Sequence, residues 1–301
     1  MISESPTSGL DPDAVSRAES LGLIARQIVE GYKVGDHRSP KRGFALEFAQ
    51  HREYNTGDDL RHLDWKVLGR TDRYYIKQYE QDTNYVAHLL VDGSESMAFG
   101  STKLRKIDFA KALSACLAKV ILTQSDAISL NIVSETNTVH MPRTDSSGRM
   151  MEVLTRLAAF EPSGKTNLKA ALDGVASRIS ARGIIILISD LFDDPDALKL
   201  GIERLRFSGQ EVIVFHVLDP FEIDFPMKGS FRFDGLEGMG TIQAAPADIR
   251  SSYLTAFNAF RTRVRHLCER ANCHYVLANT AVPLAETLSA YLAFRRQARP
   301  R

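Results

Sequence analysis

The stretch "LLVDGSESM", residues 89–97, runs apolar residues into Asp92 and follows it with two hydroxyls at alternate positions, Ser94 and Ser96. Two further oxygen-bearing groups stand where they can join it. Thr166 comes just before a helix in "EPSGKTNLKAAL", and Asp190 ends the apolar run "GIIILISD" (183–190). Asp92, Ser94, Ser96, Thr166 and Asp190 are all hard oxygen donors, with no imidazole or thiolate among them. Such a set suits Mg2+, with Mn2+ or Ca2+ as alternatives, and disfavours zinc and copper. Two carboxylates at most balance the ion. It would stay electrophilic and accept one more anionic oxygen, such as a Glu or Asp of a partner protein. The competing reading is a loop in which Asp92 and the serines only cap a turn and the helix after it.

Other chemistries fit less well. A serine nucleophile in a Gly-x-Ser-x-Gly elbow needs a second glycine that "GSES" lacks, and no His is tied to it by pattern. "SGKT" (163–166) mimics the end of a phosphate-binding loop, but the first glycine of that motif falls on Ala159, with no strand just before it. An Asp-x-Asp phosphatase needs a carboxylate where Ser94 stands. Asp58, Asp59 and Asp64 suggest an acid-based nuclease, or more simply a Gly-Asp turn with ion pairs to Arg52, Arg61 or Arg70. His88 and His216 lie inside strand patterns and read as core histidines. Cys116, Cys268 and Cys273 match neither zinc nor redox spacing and read as structural thiols.

The elements that position these groups follow from periodicity. From Val86 on, apolar runs alternate with amphipathic stretches. Strands are expected at 86–92, 127–134, 138–142, 183–190, 211–219 and 274–278, and helices at 103–122, 147–159, 167–181, 195–207, 247–271 and 283–294. In helix 103–122 the apolar face is Ile107, Ala110, Leu113, Leu117, Val120 and Ile121, with Lys106 and Lys119 off it. The order implies an α/β fold: an open, mostly parallel sheet flanked by helices, whose ligands bind beyond the carboxyl ends of the strands. Asp92, Asp190 and Asp219 all stand at such ends. In "DDPDA" (193–197), Asp194 is expected to cap the next helix, with Pro195 in its first turn.

Residues 14–85 differ: a helix over 14–33, then polar, Gly- and charge-punctuated sequence with strand-like alternation at 73–81. Within them, "REYNTGDDLRHLDWKVLGRTDRYYIKQYE" (52–80) resembles the signature of the family catalogued as domain of unknown function 58, through Arg52, Tyr54, Gly57, Asp58, Asp59, Arg61, Asp64 and Trp65. Leu63 takes that signature's Ile position, and Glu53 lies between Arg52 and Tyr54. The Asp-x-Ser-x-Ser, the later Thr and the strand-end Asp resemble the metal-ion-dependent adhesion site of von Willebrand factor A domains over about residues 86–295. The resemblance implies a von Willebrand A-like (Rossmann-like) domain holding Mg2+ at that site. It also implies partnership with a MoxR-type AAA+ ATPase or its substrate through an acidic side chain. Many such relatives carry transmembrane helices. Here the longest apolar run, "GIIILI" (183–188), is far short of the roughly 20 residues a membrane helix needs.

The expected organisation is a disordered N-terminus (1–13), an N-terminal arm (14–85), a von Willebrand A-like domain (86–295) with an insertion at 220–246, and a basic tail (296–301). Arg52, Tyr54, Asp58, Asp59, Arg61, Asp64 and Trp65 are candidates for partner or arm docking. Net charge is +1, which gives no general attraction to nucleic acid or acidic membranes. The C-terminal arginines read as a solvated helix face. The expected function is a cytoplasmic, non-enzymatic, metal-dependent interaction protein, with a metal-dependent phosphoester hydrolase as the alternative.

Overall fold

The computed structural model describes residues 12–34, 47–53, 67, 69–70, 73–80, 86–124, 126–135, 137–179, 182–227, 231–234 and 241–289. The chain divides into two compact units, Met1–Ser39 with Tyr85–Arg301, and Pro40–Asn84. In the smaller unit, β1 (Glu47–Glu53) pairs antiparallel with β2 (Tyr75–Glu80). The alternation at 73–81 foretold β2; β1 was not foreseen. Tyr54, Asp58, Asp59, Arg61, Asp64 and Trp65 lie outside the described residues, as do the side chain of Arg52 and the basic tail.

The larger unit is the α/β fold expected. Its sheet comprises β3 (Val86–Asp92), β4 (Ala127–Val133), β5 (Thr138–Thr144), β6 (Gly183–Ser189), β7 (Glu211–Leu218) and β10 (His274–Asn279). The order is β10-β7-β6-β3-β4-β5, parallel throughout except for the β4/β5 edge pair. A hairpin of β8 (Phe231–Asp234) and β9 (Thr241–Ala244) stands apart from this sheet, within the expected 220–246 insertion. The central strands are β-branched and apolar on both sides, and their two faces feed two different cores. Leu89, Val91, Ile186, Ile188 and Phe215 belong to one; Leu90, Ile185, Leu187 and Val214 belong to the other.

The second core is closed by α4 (Leu168–Ala176), α5 (Pro195–Phe207) and α7 (Pro246–Arg270). Asp194 caps α5 by accepting from the Asp196 amide, with Pro195 in the first turn, as foreseen. The expected 167–181 helix stops at Ala176, because the chain turns there through Ser177. Beyond Pro283, helix is described over 284–289.

The first core is deeper. Against the sheet lies α2 (Lys106–Thr123), followed outward by α1 (Pro12–Val34) and α3 (Met150–Ala159). Ala18, Gly22, Ala25 and Val29 form one stripe of α1 at helical spacing, and the small residues bring it close. A Cβ on Gly22 would meet Leu154 of α3 at 2.8 Å. The helix assigned to the arm from sequence therefore packs on α2 and α3 of the α/β body. Its cover explains why 13 of the 18 residues of α2 are buried, far more than a one-sided amphipathic helix would bury. Lys106, expected off the apolar face of this helix, is 1% exposed, enclosed at the end of α2 by Asp190, Glu222 and the Phe99 and Phe192 rings.

His88 and His216 lie in the sheet as expected, and the three cysteines are buried free thiols. His88 Nδ1 shares a hydrogen bond with Ser129 Oγ at 2.7 Å. Burial first, then the Arg143 charge, pull its imidazole down to about 4. A folded state that resists protonation is fully stable above the unfolded value of about 6.5 and loses stability as pH falls below it. Between about pH 7 and pH 4.5, urea unfolding of His88→Gln should show a loss smaller than wild type by on the order of 2 kcal/mol, allowing for partial solvent screening. Equal losses would contradict this. Gly93 gives a second prediction. A Cβ there would meet the Phe160 ring at 2.4 Å and the Val133 carbonyl at 3.2 Å. Gly93→Ala should cost about 1–3 kcal/mol in urea unfolding, the usual cost of overpacking.

Candidate metal centre

The parallel register sets the site. Val91 of β3 faces Ile188 of β6, and Asp92 faces Val133 of β4, so three strands end at one level. Two loops are then pinned there by the backbone. The Gly93 amide donates to Val133 (2.8 Å), the Glu95 amide to Gly164 (2.8 Å) and the Ser163 amide to Gly93 (3.0 Å). These bonds bring the loop of Thr166 against the loop of Ser94 and Ser96, although about seventy residues separate them in sequence.

Within this frame the five sequence-predicted residues meet. The Ser94 amide donates to Asp92 Oδ1 at 3.0 Å, and Ser189 Oγ donates to Asp92 Oδ2 at 2.5 Å. Ser94 Oγ and Ser96 Oγ lie 2.9 Å apart. Thr166 Oγ1 donates to the Val133 carbonyl at 3.0 Å, and its hydroxyl also bears on the Asp92 carboxylate. Asp190 is close enough for its charge to act on Asp92. Burial first, then Asp190, push the Asp92 carboxyl up to about 6, against the hydrogen bonds from Ser189, Ser94 and Thr166. Leu191 follows Asp190 at φ 59°, a left-handed conformation costly for a branched side chain. The turn is tied by the Phe192 amide donating to Asp190 Oδ1 (3.2 Å) and the Leu191 amide to Ser189 Oγ (2.9 Å).

Lys106, Ser189 and Glu222 are groups the sequence reading missed. Lys106 Nζ donates to Asp190 Oδ2 at 2.7 Å and to Glu222 Oε1 at 2.6 Å. It also sits 4.9 Å from the centre of the Phe192 ring. Burial pulls the Lys106 amine down, but the two carboxylates outweigh it and hold its pKa above the ordinary range. Glu222 belongs to α6 (Pro220–Asp224), whose "DPFE" start forms a reciprocal capping box with Asp219. That box is readable in sequence; its tie to Lys106, 116 residues away, is not. Asp219, the third strand-end acid, is fully buried and taken up by Ser101, Phe221 and Thr280.

An aromatic seam supports the rim loop. Phe192 stacks on Phe260 of α7 (5.3 Å) and meets Phe257 (6.3 Å), which stacks on Tyr253 (5.5 Å) and through it reaches Phe225 (4.5 Å). The arginines of α7 are largely committed: Arg250 to backbone carbonyls of Asp224 and Phe225, Arg263 to Asp196, Arg265 to Glu269.

Among the described residues no group of three or more His, Cys, Asp or Glu is arranged to hold a metal ion, so a cation here would depend on the hydroxyls. The donor set fits one. The 2.9 Å between Ser94 Oγ and Ser96 Oγ is close to the edge of an octahedron with metal–oxygen bonds of about 2.1 Å. Asp92 is a buried carboxylate whose described hydrogen bonds come from neutral donors, the Ser94 amide and the Ser189 hydroxyl. A cleft of about 540 Å³ opens beside Thr166, with Lys165 and Arg178 set against Glu135 and Asp193 on its walls.

Comparison with known proteins bears on the family and the fold. The uncharacterized protein Rv1480 of Mycobacterium tuberculosis (strain H37Rv) is 26% identical over 259 residues, covering 84% of this chain and 81% of its own. An aerotolerance-related membrane protein from Bacteroides fragilis NCTC 9343, solved with multiple mutations to serines, is 17% identical and covers 70% of this chain and 97% of its own. Its TM-score of 0.50 shows a shared fold. The SpRpn10 VWA domain, 12% identical over 69% of this chain and 95% of its own, has a TM-score of 0.42. Residues 50–263 match the family described as "Protein of unknown function DUF58", and the chain belongs to that family.

Proposed function

We propose that this protein is a non-enzymatic interaction module that binds an acidic group of a partner protein through a divalent cation, Mg2+ in the first instance. The observation that carries the reading is the meeting of Asp92, Ser94, Ser96, Thr166 and Asp190 at one strand-end rim. Ser94, Ser96 and Thr166 would hold the ion, with Asp92 and Asp190 binding directly or through water. The bound cation would supply an electrophilic position that takes a carboxylate oxygen. Gly93 and the paired loop backbones keep the donors in place before any ligand arrives. The cleft beside Thr166 gives a partner segment somewhere to lie. For the partner we propose a MoxR-type AAA+ ATPase or one of its substrates, the association that the family resemblance implies. A cytoplasmic location belongs to the same proposal and is supported by the three buried free thiols. Among the described residues no helix is long and apolar enough to cross a membrane.

The absence of catalysis is part of the proposal. His216 touches the Asp190 carbonyl with Nε2 and Tyr275 with Nδ1, so both ring nitrogens are committed and neither is placed as a general base. With Mg2+, the purified protein should leave a generic phosphodiester intact; turnover lost in Asp92→Ala would establish the hydrolase alternative instead. Binding gives the positive test. A MoxR-type ATPase should be retained on the immobilised protein with Mg2+, and lost with EDTA and in folded Asp92→Ala or Ser94→Ala. Retention unchanged by EDTA would remove the cation from the mechanism.

A further inference from the structure

Lys106 is a fully buried cation placed behind the rim, on the carboxylate that the proposed site would share. It is 1% exposed, and its amine bonds Asp190 Oδ2 at 2.7 Å and Glu222 Oε1 at 2.6 Å. The other Asp190 oxygen accepts from the Phe192 amide. Asp190 thus shares its charge with an internal ammonium, whereas the hydrogen bonds described for Asp92 come from neutral donors, the Ser94 amide and the Ser189 hydroxyl. The two rim acids are therefore inequivalent.

We propose that Lys106 sets the cation affinity of the rim by cancelling the charge of Asp190, with Glu222 acting in the opposite sense by drawing the ammonium away. The inference rests on the reading that the rim holds a divalent cation. With Asp190 offset, one uncompensated carboxylate and three neutral hydroxyls face the ion. Such a set holds a free cation weakly and leaves it short of negative charge. A partner's carboxylate then supplies what Lys106 has removed, so retention of the ion and capture of the acid reinforce each other. Lys106 is a positioning residue here, acting through Asp190.

The sign of two substitutions separates this from a purely structural role. Lys106→Met removes the internal cation and should tighten binding of Mn2+ alone. Charges at this range shift the affinity for a proton by about one to three powers of ten, so a gain of about tenfold or more is expected. Glu222→Gln leaves the ammonium wholly to Asp190 and should weaken Mn2+ binding. A mere packing defect would weaken both. Free Mn2+ measured by electron paramagnetic resonance on the full chain reads both, with circular dichroism to confirm folding and Asp92→Ala as the reference. Should Lys106→Met not fold, because it strands two buried carboxylates, the double variant Lys106→Met/Glu222→Gln takes its place, and it should bind Mn2+ more tightly than Glu222→Gln alone.

Wild-type binding that is lost in Asp92→Ala, with the two variants moving in opposite directions, supports the inference. Wild-type binding lost in Asp92→Ala, with Lys106→Met no tighter or Glu222→Gln no weaker, overturns the inference and leaves the cation site standing. Binding kept in Asp92→Ala, or no binding by any form at millimolar Mn2+, overturns both.

Discussion

Two like-charged carboxylates, Asp92 and Asp190, are buried at 3% and 1% exposure at the same end of one sheet. Taking such charges out of water is costly unless positive charge or hydrogen bonds replace the lost solvation. The rest of the site answers that constraint. Asp190 meets an ammonium brought in by the first residue of α2, and Asp92 meets amide and hydroxyl donors. Burial and the neighbouring Asp190 charge still push the Asp92 carboxyl up, and the proposed divalent cation would oppose both.

The fold supplies the precision for this. Parallel pairing of β3 with both β4 and β6 fixes where the strands end, and the exchanged amides of the two loops fix the side chains beyond them. On the far side, the aromatic run from Phe225 to Phe192 secures the turn after Asp190. Lys106 links these supports. It belongs to the most enclosed helix, reaches the rim, and bonds α6 at the base of the insertion. The proposal of a cation-borne carboxylate contact draws on the rim itself.

Much of this was legible in the sequence because it is local. Continuous apolar runs such as 183–188 mark strands covered on both faces, and Asp194-Pro195 marks a helix start, because pattern and capping act over a few residues. The five oxygen donors were readable because strand ends gather on one side of a parallel sheet. The burial of Lys106 was not readable. It stands one turn before Ala110 on the stripe that continues through Leu113 and Leu117, but what encloses its amine is Asp190, Glu222 and the Phe99 and Phe192 rings, all brought in from elsewhere in the chain. Its partners Asp190 and Glu222 lie 84 and 116 residues on, and no local rule pairs them. β1 was missed because "EFAQHRE" lacks the β-branched alternation that identifies strands.

The central claim is that the rim is a cation site built on hydroxyls. Its most direct test is a crystal structure of the protein grown with Mn2+, with anomalous diffraction locating the metal. The account predicts a peak at about 2.1–2.2 Å from Ser94 Oγ and Ser96 Oγ, with Asp92 and Asp190 beside it. Well-ordered density for the rim with no anomalous peak there, or a peak held elsewhere, would contradict it.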